Sequence, residues 1–89
     1  MNLARIQAMM QELKGWSFET NALVKEYEFK DFKEALIFLN KVGDVSERHN
    51  HHPMILLNYN RLKLTLTTHS ENQITEKDFA LAKDIDGID

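Results

Sequence analysis

Eighty-nine residues, 43% hydrophobic and 28% charged, suffice for one small domain with its own core, read here as residues 1–89. The chain has no cysteine, which excludes a disulfide framework and thiolate metal ligation and is compatible with a cytoplasmic location. No apolar run approaches the roughly 20 residues of a membrane span, the amino terminus shows no signal-peptide pattern, and a net charge of −3 lacks the basic footprint of nucleic-acid binding.

In chain order, Leu3, Ile6, Met10 and Leu13 recur at steps of three or four, predicting an amphipathic helix over 2–14 that Gly15 ends. Alternation over 16–20 predicts a half-buried strand, with a turn at Thr20-Asn21. A second strand follows, with Leu23, Lys25, Tyr27 and Phe29 on one face and Val24, Glu26 and Glu28 on the other, completing a hairpin. Asp31 stands where it can cap a helix, in a capping-box-like relation to Glu34. Phe32, Ala35, Leu36, Leu39, Val42 and Val45 carry the helical phase through Gly43 towards Arg48, and Pro53 closes the segment and biases His52 to extended backbone.

Ile55-Leu56-Leu57 predicts a short strand and Asn58-Tyr59-Asn60 a turn. A further strand is predicted over 61–69, with Leu62, Leu64 and Leu66 on one face and Arg61, Lys63, Thr65, Thr67 and His69 on the other. After a loop over 70–74, Thr75-Glu76-Lys77-Asp78 opens a last helix, with Leu81, Ala82, Ile85 and Ile88 along one side. The expected fold is α+β in the order α-β-β-α-β-β-α, a four-stranded antiparallel sheet with the helices packed on one face.

Glu47-Arg48-His49-Asn50-His51-His52-Pro53 holds three of the four histidines and the only proline. If 55–59 and 61–69 form a hairpin turning near Tyr59-Asn60, Asn50 lies opposite His69; a turn one residue later puts His52 there. Either register brings His51 and His52 beside His69. Three readings compete for such a cluster. It can be a polar loop with no chemistry. It can be a zinc site of His51, His52 and His69 with Glu47 or His49, although adjacent histidines on an extended segment point apart. It can be an acid–base pair, since imidazole, with an unperturbed pKa near 6.5, exists in both protonation states at cellular pH. The third reading is favoured.

Glu47-x-x-x-His51-His52-Pro53, with Tyr59, His69 and Asp78 at these intervals, resembles the signature of the pterin-4a-carbinolamine dehydratases. Gly15-Trp16, Lys30-Asp31-Phe32 and Thr67-Thr68-His69 also resemble segments of that family, so the similarity spans roughly residues 16–85. The resemblance implies removal of water from 4a-hydroxytetrahydropterin to give quinonoid dihydropterin, with no metal and no organic cofactor. It implies assembly as a homodimer or homotetramer, and animal members double as a dimerisation cofactor for a homeodomain transcription factor.

Carried across, the pattern makes His51 and His69 the acid–base candidates and His52 a catalytic residue that holds or polarises the substrate. Glu47, Asn50, Thr67 and Asp78 become substrate-binding candidates. Glu47 can equally fix a histidine tautomer or be a solvated helix-end charge. Asp78 stands three residues after Thr75, where a carboxylate closes a capping box, and the two roles are compatible. His49 has no matching role. Many family members carry an acidic residue where this chain has Met54, and another just before the histidine pair, where it has Asn50. The competing function is a non-catalytic, coactivator-like binding module of the same fold.

Overall fold

The computed structural model describes residues Met1–Asp89. The elements run α1 (Leu3–Met10), β1 (Ser17–Glu19), β2 (Ala22–Glu28), α2 (Phe32–His49), β3 (Met54–Asn58), β4 (Arg61–Leu66) and α3 (Glu76–Asp86), with a 3-10 turn at His69–Glu71. The expected order of helices and strands is the one observed.

The strands form one antiparallel sheet in the spatial order β1-β2-β4-β3. Two hairpins supply the outer pairs, and the long-range pairing of β2 with β4 joins them at the centre. That pairing sets Leu23 opposite Leu66, Lys25 opposite Leu64 and Tyr27 opposite Leu62, so these side chains share a face. Leu23, Leu62, Leu64 and Leu66 are fully or almost fully buried there. Val42 and Val45 of α2 and Leu81, Ala82 and Ile85 of α3 complete the same core cluster. On the other face, Glu26, Lys63, Leu56 and Met54 are exposed. One covered face and one open face is the expected α+β arrangement.

Turn chemistry fixes the hairpins. Thr20 and Asn21 both have positive φ, at 48° and 59°, the conformation of a tight two-residue connection between twisted strands. Tyr59, at φ 54°, reverses the chain between β3 and β4. Met54 pairs with Thr65 and Asn58 with Arg61, which is the earlier of the two expected registers.

Two expected boundaries move. The first helix ends at Met10 rather than running on to residue 14. The Lys14 amide instead donates to Asp86 Oδ2 at 2.8 Å, and Gly15 takes φ 77°. A Cβ on Gly15 would lie 3.2 Å from Lys25 Cε, so a side chain there is both strained and crowded. The strand expected over 61–69 stops at Leu66, and His69 starts the 3-10 turn instead of ending a strand. Thr68 makes an isolated bridge to Gln73, which folds the segment back on itself before the strand can continue. At Asp31 the side chain accepts from the Glu34 amide at 2.9 Å, giving a one-sided cap.

Asp86 ties the ends of the molecule together. Its carboxylate accepts from the Lys14 amide and from Trp16 Nε1, each at 2.8 Å, and pairs with Lys25 Nζ at 3.0 Å. The first hairpin is thereby fastened to the end of α3.

Candidate functional site

The helix α2 ends in a way that aims the histidine pair. Asn50 adopts the left-handed conformation at φ 49° and ψ 41°. Its amide donates to the Glu47 carbonyl at 3.1 Å, and the His51 amide donates to the Ser46 carbonyl at 3.2 Å. These are the two bonds of a Schellman stop, which turns the chain sharply away from the helix axis. Asparagine tolerates the left-handed region better than other side-chain-bearing residues. The turn throws His51 and His52 towards the end of β4, and the buried Pro53 starts the approach to β3.

There they meet the other half. Asn50, His51, His52, Thr67, Thr68, His69, Ser70 and Lys77 line one hollow of about 340 Å³. No lining residue is apolar, and none is acidic. The acids stand behind the histidines. His51 Nε2 lies 2.5 Å from Asp78 Oδ1, and Asp78 has no solvent exposure. His52 Nε2 bonds the Glu47 carboxylate, an exposed pair at the mouth. His69 has no carboxylate partner.

A carboxylate only accepts, so the histidine nitrogen bonded to it carries the hydrogen. His51 and His52 therefore hold Nε2–H against their acids, and Nδ1 of each is left as the free lone pair. The two pairs differ in setting: the His51 side chain is only 14% exposed, whereas the His52–Glu47 pair stands in solvent.

The site candidates thus divide. Asn50, His51, His52, Thr67 and His69 converge on the hollow. Glu47 and Asp78 stand outside its lining, each bound to a histidine. Asp78 also closes a capping box with Thr75, whose amide donates to Oδ2 at 2.9 Å, so capping and histidine contact coexist. Thr67 Oγ1 donates to the Asn21 carbonyl at 3.3 Å, fastening the rim to the first hairpin turn. His49 points elsewhere, 2.6 Å from Asp84 on α3. Trp16 is core, and Tyr59 is exposed at a hairpin tip. No group of three or more His, Cys, Asp or Glu side chains is arranged to share a metal ion.

Sequence reasoning missed Thr68, Ser70 and Lys77. Lys77 carried a signal, since it lies inside the capping sequence next to Asp78 and shares the first turn of α3. Thr68 carried a weaker one, as a β-branched residue in what read as an unbroken strand.

The family described as Pterin 4 alpha carbinolamine dehydratase matches residues 1–88. A protein of Thermomicrobium roseum is 48% identical over 80 residues, covering 90% of this chain and 86% of its own. One of Sulfolobus acidocaldarius is 45% identical over 83 residues, covering 93% and 91% respectively. Both bear the name "Putative pterin-4-alpha-carbinolamine dehydratase". The crystal structure of a transcriptional coactivator/pterin dehydratase from Brucella melitensis superposes with a TM-score of 0.91 at 31% identity, over 98% of this chain and 95% of that one. A pterin dehydratase-like protein described as a RuBisCO assembly factor in the alpha-carboxysome shares the fold, with a TM-score of 0.70 at 22% identity over 85% and 90% of the two chains. The chain belongs to the pterin-4a-carbinolamine dehydratase family.

Proposed function

We propose that this chain is a hydro-lyase that removes water from a 4a-hydroxytetrahydropterin, such as the tetrahydrobiopterin carbinolamine, to give the quinonoid dihydropterin. The reading places it in tetrahydropterin recycling in the cytoplasm. The observation that carries it is the convergence of His51, His52 and His69 on one hollow, with two of the three backed by carboxylates.

The reaction needs two proton movements and no redox change. A proton goes to the hydroxyl on C4a as the C–O bond breaks, and a proton leaves a ring nitrogen as the C=N system forms. His51 lines the hollow with Nε2–H held by Asp78, which leaves its Nδ1 lone pair to accept a proton and suits the base. His69, across the hollow, suits the acid. His52 and its Glu47 partner hold the substrate at the mouth, and Thr67 and Asn50 contribute polar contacts at the rim. Asp78 serves the substrate through His51, since it has no exposed surface of its own.

The test is direct formation of quinonoid dihydropterin from 4a-hydroxytetrahydropterin by wild type and by His69→Ala. Wild type should exceed the uncatalysed rate, and the variant should lose on the order of a hundredfold or more. Equal rates, both at the uncatalysed level, would overturn the reading.

A second reading is favoured by exposed apolar side chains. Met54, Ile55 and Leu56 stand at 67%, 43% and 62% exposure on the edge strand β3, and Phe32, Leu36 and Ile37 are exposed on α2. Such surfaces suit protein contact. They fit a homodimer or homotetramer of the enzyme, and they equally fit a coactivator-like binding module. The kinetic assay separates the two, because a module without catalysis leaves the reaction at its uncatalysed rate.

A further inference from the structure

At the wall of the hollow, Thr68 is 3% exposed, and its hydroxyl lies 2.8 Å from Asp78 Oδ2 and 2.7 Å from Thr75 Oγ1. The directions of these bonds follow from counting hydrogens. An ionised carboxylate has none to give, so Thr68 must donate to Asp78. A hydroxyl has a single hydrogen, so Thr75 must be the donor to Thr68. The Thr75 oxygen in turn accepts from the Lys77 amide at 3.3 Å. The hydrogen bonds therefore run one way, from the Lys77 amide through Thr75 and Thr68 to Asp78 Oδ2. On the other oxygen, the Asp78 carboxylate meets His51 Nε2–H. Chains oriented head to tail polarise one another and strengthen each bond.

Thr68 also belongs to the other half of the hollow. It directly precedes His69, and its carbonyl accepts from the Glu71 amide at 3.1 Å inside the turn that carries His69. One buried residue thus fixes the segment bearing one histidine and the carboxylate holding another.

We infer that Thr68 is a positioning residue for the dehydration, acting through Asp78 to hold His51 in its Nε2–H tautomer with Nδ1 aimed into the hollow. The inference rests on the dehydratase reading above. Without the Thr68 hydroxyl, Asp78 Oδ2 keeps only the Thr75 amide and gains a methyl group beside it. The carboxylate is then free to turn, and the His51 ring loses its fixed orientation.

The test compares Thr68→Val, Thr68→Ser and wild type by dehydration kinetics and by nitrogen-15 NMR of the histidine side chains. Thr68→Val should lower kcat about tenfold with KM within about twofold, and its His51 spectrum should show mixed tautomers in place of one. Thr68→Ser, which retains the hydroxyl, should restore both. In an Asp78→Asn background, Thr68→Val should cause no further loss, because the two act as one unit. Wild-type kcat and a single His51 tautomer in folded Thr68→Val would overturn the inference, as would additive losses in the double variant. Should Thr68→Val fail to fold, the wild-type spectrum decides, and an Nδ1–H tautomer at His51 overturns it. The NMR readout does not depend on turnover. A fixed tautomer without activity would therefore count against the dehydratase reading and not against the hydrogen-bond relay.

Discussion

A carboxylate with no solvent exposure, such as Asp78, is tolerable in a protein interior only when donors surround it. Here the Thr75 amide, the Thr68 hydroxyl and His51 Nε2–H supply them. Asp78→Asn replaces one acceptor by an amide that donates, favouring the opposite His51 tautomer. We expect kcat to fall on the order of a hundredfold with little change in KM, and a loss of about 1–2 kcal/mol of stability through the broken capping box. Steady-state kinetics and urea unfolding check the two halves separately. The capping role was legible from the three-residue spacing of Thr75 and Asp78. The contact with His51, 27 residues away, was not, because no local pattern reports a tertiary hydrogen bond. Tyr27 presents the converse case, a buried hydroxyl with no partner. Burial first, and the Asp86 carboxylate second, push its ionisation well above the usual tyrosine range. A raised folded-state pKa contributes stability that is complete below the unfolded value near 10 and is lost as pH rises beyond it. Tyr27→Phe should therefore be neutral or slightly stabilising at pH 7, and should lose less stability than wild type in denaturant melts above about pH 10.

At the scale of elements, periodicity located all three helices and all four strands, although β1, expected to be half-buried, is exposed along Ser17–Glu19. The ends were less legible. Thr67-Thr68-His69 continues a β-favouring pattern, yet Thr68 turns inward to Asp78 and bridges Gln73, and that tertiary pull outweighs propensity. The family pattern makes Asn50 a substrate-binding candidate. Its left-handed backbone gives it a further role, stopping α2 and aiming the histidines, which composition alone does not reveal. Glycine weakens a helix interior, yet α2 runs through Gly43 to His49, as the helical phase of its apolar residues predicts. A Cβ built on Gly43 meets nothing within 4 Å. Gly43→Ala should accordingly stabilise the chain by ~1 kcal/mol in chemical denaturation, with dehydration unchanged.

Taken as a whole, the molecule brings together two site halves that are distant in sequence by pairing β3 with β4 in one register. Met54 opposite Thr65 sets the histidine pair beside Thr67 and His69, and hairpin arithmetic anticipated that meeting. The pairing of β2 with β4 was not anticipated, because either hairpin could have supplied the centre of the sheet. The sheet leaves β3 as an edge strand with Met54, Ile55 and Leu56 exposed, and self-association through that edge is the proposal to test. Leu56→Lys should shift the mass measured by light scattering towards the monomer if that edge is the contact, and an unchanged mass would place the contact elsewhere. The central claim, that His51 and His69 act on one substrate from opposite halves of one hollow, is tested most directly by a kinetic cycle. Quinonoid dihydropterin formation is measured for wild type, His51→Ala, His69→Ala and the double variant. Groups that act as a unit are not additive, so each single variant should lose most of the rate and the double variant little more. Single variants that both retain the wild-type rate, or losses that simply multiply in the double variant, would contradict it.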